Sequence, residues 1–163
     1  MAPLSSDPIE RATTLHAIQL LAARMPDDAS NEPVRFGFSA TLRVLCAAER
    51  HDEIETVTGL TPTHQHEHGD PGLLGRPWPK DLWVLESPLP RGAPLDKHLG
   101  WLWERVQPHQ AFFRELAAED GIDIDLFCGY RSDCAECGFE VQPEALEIVQ
   151  ALSIPLEVSV VFE

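Results

Sequence analysis

The sequence predicts an α+β fold: a ferredoxin-like βαββαβ sheet with an added N-terminal strand and a packed N-terminal helix. Three observations carry this. Residues 34–46, 122–128 and 156–162 alternate apolar and polar side chains, the period of a strand with one buried face. Residues 8–25 and 94–119 instead repeat apolar side chains at helical spacing. The resulting order is α, β, α, β, α, β, β, α, β, which from the second strand onward reads βαββαβ. With 163 residues, 44% of them hydrophobic, the chain can bury one core. We divide it into an N-terminal helix and linker, 1–33, and an α+β domain, 34–163, forming a single unit.

The first helix starts at Pro8. Asp7 is a suitable N-cap, Pro8 fits the first helical position, and Glu10 completes a capping-box pattern. Ile9, Ala12, Leu15, Ile18, Leu21 and Met25 then form one apolar stripe. A polar linker, Pro26 to Pro33, follows. Val34 to Cys46 reads as the clearest strand. A short helix over Asp52 to Thr58 is closed by Gly59 and cannot continue through Thr61-Pro62. Residues 61–80 form a long loop rich in His, Gly and Pro.

The second strand, Asp81 to Ser87, places apolar residues on both faces, as a covered strand does. Pro94 to Glu119 is helical, with Pro108 dividing or kinking it and Gly121 ending it. A third strand carries Ile122, Ile124, Leu126 and Cys128 inward. A turn over 131–138 leads to a short fourth strand, Phe139 to Val141. Pro143 opens the last helix, and Leu156, Val158, Val160 and Phe162 point inward from the last strand.

Twelve Lys plus Arg against 27 Asp plus Glu leave a formal charge of −15. That excludes a general nucleic-acid binder, which needs a basic face, and disfavours docking on anionic membranes. No apolar run reaches the ~20 residues of a spanning helix. The first residues have neither a basic nor an apolar leader region, so the expectation is a cytoplasmic protein. Such a field favours a basic protein partner by accelerating association at low salt. The acidic side chains expected outside the core are Asp52, Glu53 and Glu55 on the short helix, and Asp133 and Glu136 in the turn. A homo-oligomer is compatible with the same composition.

Two motifs bear on chemistry. His64, His66 and His68 alternate, so in an extended segment three imidazoles project to one side, as a Zn site would require; Glu67 or Asp70 would assist. The bland alternative is a solvated loop. Cys134 and Cys137 form a CxxC, a spacing that serves a metal or a redox disulfide. No second pair matches it, and Asp133 and Glu136 would raise the thiol pKa. Four reduced cysteines without a role are the simpler reading. With the first and third strands taken as running the same way, the His run falls at one end of the sheet. Cys46, Cys134 and Cys137 then fall at the other. No GxSxG, P-loop, GxGxxG or HExxH is present.

Trp101 and Trp103 lie about 200° apart on one helix, so both cannot face the core. The first strand offers Arg35, Ser39, Thr41 and Arg43, and the third Asp123 and Asp125. These residues make either cross-strand ion pairs or a polar groove.

Gly59-Leu60-Thr61-Pro62-Thr63, Gly69-Asp70 and Trp83-Val84-Leu85-Glu86-Ser87, with the spacing of the elements after them, resemble the bacterial domain of unknown function 4279 family. The resemblance runs from Ser39 to the C-terminus. It implies an α+β fold and a bacterial or phage origin, but no reaction and no catalytic residue. The N-terminal helix, the His run and the Cys pair depart from the family pattern. The functional expectation is therefore an acidic binding or accessory protein without chemistry of its own, of the immunity or inhibitor type. The alternative is a metal-dependent hydrolase or metal-binding protein built on His64, His66 and His68.

Overall fold

A computed structural model describes residues 36–72, 75–133 and 138–162. The expected N-terminal helix and linker lie outside these residues, as do Cys134, Glu136 and Cys137.

Five strands form one mixed sheet in the order β2-β3-β1-β4-β5. β1 (Phe36–Leu45) is its centre. It pairs antiparallel with β3 (Leu82–Glu86) on one side and with β4 (Asp123–Ser132) on the other. β2 (His64–His66) extends the sheet antiparallel beyond β3, and β5 (Leu156–Phe162) runs parallel beside β4. The architecture is thus α+β.

The sheet does not plainly match the expected ferredoxin-like order, for two reasons. Phe139 to Val141 is not a strand. The edge of β4 is occupied by β5, and Phe139 instead packs its ring edge-on against Phe38, 5.6 Å between centroids. In addition, the strand expected as an N-terminal addition is the central one, so the β3-to-β4 crossover passes over it. Since β1 opposes both neighbours, the assumption that the first and third strands run the same way is corrected.

The alternation in β1 is realised. Phe38, Ala40, Leu42 and Val44 are buried in the main core with Ile124, Leu126, Cys128 and Tyr130 of β4. α1 (Glu49–Thr58) contributes Ile54 and ends at Gly59, whose φ of 69° suits a residue without Cβ. Its first turn carries Glu49 and Asp52, which complement the helix dipole. Residues 94–119 divide at Pro108 as expected. α2 (Leu95–Val106) passes through a 3₁₀ turn, Gln107–His109, into α3 (Gln110–Ala117). Leu95, Leu99, Leu102, Val106, Phe113 and Leu116 complete the stripe against the sheet. α4 (Glu147–Leu152) adds Ile148 and Leu152.

β3 is covered on both faces, with Leu82, Trp83, Val84 and Leu85 all buried. β5 departs from expectation. Register places Leu156, Val158, Val160 and Phe162 on the same side as the β4 core residues. They are nevertheless 36%, 42%, 48% and 58% exposed, because the core helices pack over β1, β3 and β4 and leave the last strand uncovered. Among the described residues, no helix is long and apolar enough to cross a membrane.

Candidate functional site

The loop expected over 61–80 contains the three-residue strand β2, which a loop rich in His and Gly did not announce. Thr63 precedes it and holds the Val84 carbonyl with both its N–H, 2.8 Å, and its hydroxyl, 3.1 Å. After β2, Pro71 bridges Pro77, the Trp78 N–H donates to the Asp70 carbonyl at 3.0 Å, and the Gly69 N–H donates to the Trp78 carbonyl at 2.9 Å. This return sets the Trp78 indole flat on His66, with ring centroids 4.1 Å apart and 13° between planes.

Alternation brings His64 and His66 to the sheet face that carries Leu82 and Val84, away from the helices. Their ring nitrogens, His64 Nε2 and His66 Nδ1, are 3.1 Å apart. Burial, with His64 adding to it, holds the His66 imidazole down to about 4, so the ring is neutral at pH 7. His51, from α1, is also buried and lowered by desolvation. Its Nε2 has no hydrogen-bond partner among the described residues. His68 stands apart: it is exposed, and its backbone N–H bonds the Asp81 carboxylate. The three histidines are thus not brought together as a set. Among the described residues, no three His, Cys, Asp or Glu side chains form a group able to hold a metal ion.

Acidic side chains from three separate segments gather at this end of the sheet. Asp52 and Glu55 of α1, Glu67 after β2 and Asp81 before β3 all oppose the lowering of the His51 pKa. Asp70 and Asp81 act likewise on His66. Glu53 and Asp81 raise the Cys46 thiol further. Arg50 is held by Glu53 at 2.8 Å and by Glu119 at 2.7 Å. Asp133 follows β4 at the opposite end, since Ser132 pairs with Phe36 and Asp123 with Leu45. At ~3.3 Å per residue, a ten-residue strand separates Asp133 from the α1 acids by roughly 30 Å. Asp52, Glu53 and Glu55 therefore belong to one surface and Asp133 to another.

The same end holds a cavity of about 490 Å³ lined by Arg43, Lys80, Asp123, Asp125 and Glu157 among others. Arg43 is 1% exposed. Its Nε and NH2 donate to both Asp125 oxygens at 2.6 and 2.8 Å, NH2 also donates to Glu157 at 3.0 Å, and the guanidinium lies 4.4 Å over the Phe127 ring. The cross-strand pairing expected of Arg43 and Asp125 is present, but it is buried rather than solvated.

Cys46 and Cys128 are free and buried, with burial pushing their thiols up to about 11 and about 12. Cys46 follows β1 beside Asp81, at the α1 end of the sheet; Cys134 and Cys137 lie outside the described residues. Trp101 and Trp103 are both half-buried at the rim of the core. Trp101 lies under Arg105 at 3.5 Å, and Trp103 donates to Glu147 at 3.0 Å.

Sequence reasoning missed His51, Asp81, Lys80 and Glu157. Each joins the site through the fold, and no local spacing marks it.

A family model described as a domain of unknown function (DUF4279) matches residues 36–163, from the first residue of β1 to the end of the chain. No curated protein and no solved structure matches it.

Proposed function

The chain belongs to the DUF4279 family, and from that premise we propose that it is an acidic binding protein of the immunity or inhibitor type, docking a basic partner at the α1 end of the sheet. One observation carries the reading: Asp52, Glu55, Glu67 and Asp81 come from three segments and converge on one buried, neutral histidine. Arg50, the one arginine of α1, is engaged by Glu53 and Glu119. A negative field focused on one end of a molecule of charge −15 steers a cationic surface toward that end. The adjoining cavity adds Asp123, but it is also lined by Lys80 and by Arg43, which holds Asp125 and Glu157, so the docking surface is the group of Asp52, Glu55, Glu67 and Asp81 rather than the cavity.

The test is capture from the source cell at low and high salt, using the full chain, an Asp52→Lys/Glu67→Lys variant and an Asp133→Lys variant. The expected result is one basic protein, lost as salt rises, lost with the double variant and retained with Asp133→Lys. Capture of nothing, together with a raised melting temperature on adding Zn, would replace this reading by the metal-binding one on His64 and His66.

A further inference from the structure

We infer that β5 is a self-association edge, on which a second copy of this chain pairs antiparallel to make a continuous ten-stranded sheet. β5 is the last strand of the sheet, and one of its edges has no partner among the described residues. The Leu126 N–H donates to the Pro155 carbonyl at 3.0 Å. In a parallel ladder that phase turns the backbone groups of residues 157, 159 and 161 toward β4. The N–H and C=O groups of Leu156, Val158, Val160 and Phe162 therefore point outward, a row of donors and acceptors that no other strand meets among the described residues.

Devices that normally blunt such an edge are missing. From Leu156 to Phe162 there is no Pro, no Lys and no Gly. The only charge is Glu157, which is bound to Arg43. Apart from Glu157 the strand is uncharged and mostly apolar, on a molecule of charge −15, so few like charges oppose one another across this edge.

The strand is also complementary to itself. Antiparallel pairing about Ser159 sets Leu156 against Phe162 and Val158 against Val160, so the outward-pointing residues face one another as hydrogen-bonded pairs. Even-numbered side chains stay on one side of the joined sheet. Val158, Val160 and Phe162, 42%, 48% and 58% exposed, then meet their symmetry mates. Phe36 and Phe139, 48% and 37% exposed at the same end, border this strip. The contact is isologous, so it closes at two copies. Glu67 and Asp81 adjoin β2 and β3, at the other side of the sheet from β5, so the seam leaves them uncovered.

Sedimentation equilibrium of the full chain tests this. The expected mass is twice the 18.1 kDa of one chain. Val160→Lys and Val160→Pro should each weaken dimerisation about tenfold or more, the first by placing a charge at the seam, the second by deleting an outward N–H that β4 does not use. Val57→Lys, on exposed α1 surface, should leave it unchanged. Circular dichroism reports whether each variant folds; should Val160→Pro unfold, Val160→Lys decides, since it alters an exposed side chain. A monomer at about 100 µM, or a dimer indifferent to Val160→Lys, overturns the inference. So does slow hydrogen exchange at Val158 and Val160 that does not change on dilution, because another part of the chain would then cover the edge.

Discussion

Arg43 and Asp125 meet in a two-pronged ion pair, 2.6 and 2.8 Å, joining the central strand to β4 beneath the surface. Arg43 is 1% exposed and the Asp125 side chain 17%, so the pair is shielded from screening by salt.

Removing the anion should therefore cost more than removing the cation. Asp125→Ala leaves a buried guanidinium with Glu157 alone, and a stability loss of about 3 kcal/mol is expected. Arg43→Met leaves two carboxylates that reach water, 17% and 32% exposed, and should cost less. Urea midpoints of the two variants check the order; an equal or reversed ranking contradicts it.

Stability should fall on acidification through the histidine range. The folded pKa of His66 lies at about 4, below its unfolded value of about 6.5. The stability it contributes is present above the unfolded value and lost as pH drops toward 4, on the order of 3 kcal/mol in full. His51, His64 and His98 are shifted the same way by burial. Denaturant titrations at pH 7.5 and 5 should show the loss, and His66→Phe, which keeps a ring against Trp78, should flatten it.

Gly129 has a different constraint. A Cβ there would stand 2.6 Å from Ser39 Oγ, its cross-strand neighbour. Gly129→Ala should destabilise by about 1–3 kcal/mol. Ser39→Ala removes the obstructing oxygen, so the double variant should be more stable than the sum of the single effects allows. Thermal melts of the three variants measure that coupling.

Cys46 and Cys128 should resist alkylation in the native protein. The thiolate is the reactive form, and burial has moved both thiols far above neutral pH. Iodoacetamide treatment at pH 7.5 followed by peptide mass spectrometry should find both unmodified without denaturant and fully modified with it.

Signals confined to neighbouring residues were legible in the chain. Alternation marked β1, β4 and β5, helical spacing marked α2 and α3, and Gly59 and Pro108 marked a stop and a break. These depend on backbone geometry within a few residues, which each residue type biases directly. The family was legible too, because its short motifs are local.

Strand order and direction were decided by the tertiary structure alone. β1 became the centre, and β4 turned against it, because pairing is chosen by whichever edges and faces bury together across ~80 residues of sequence, as between Arg43 and Asp125. Phe139 to Val141 has the composition of a strand but no free edge of β4 to join. The site followed the same logic. His64 and His66 were visible as a spaced pair. The stacking of Trp78, the burial of His51 and the convergence of Asp52, Glu55, Glu67 and Asp81 arise from three segments folding to one end. No single stretch of the chain encodes that placement, because it is a property of contacts between segments.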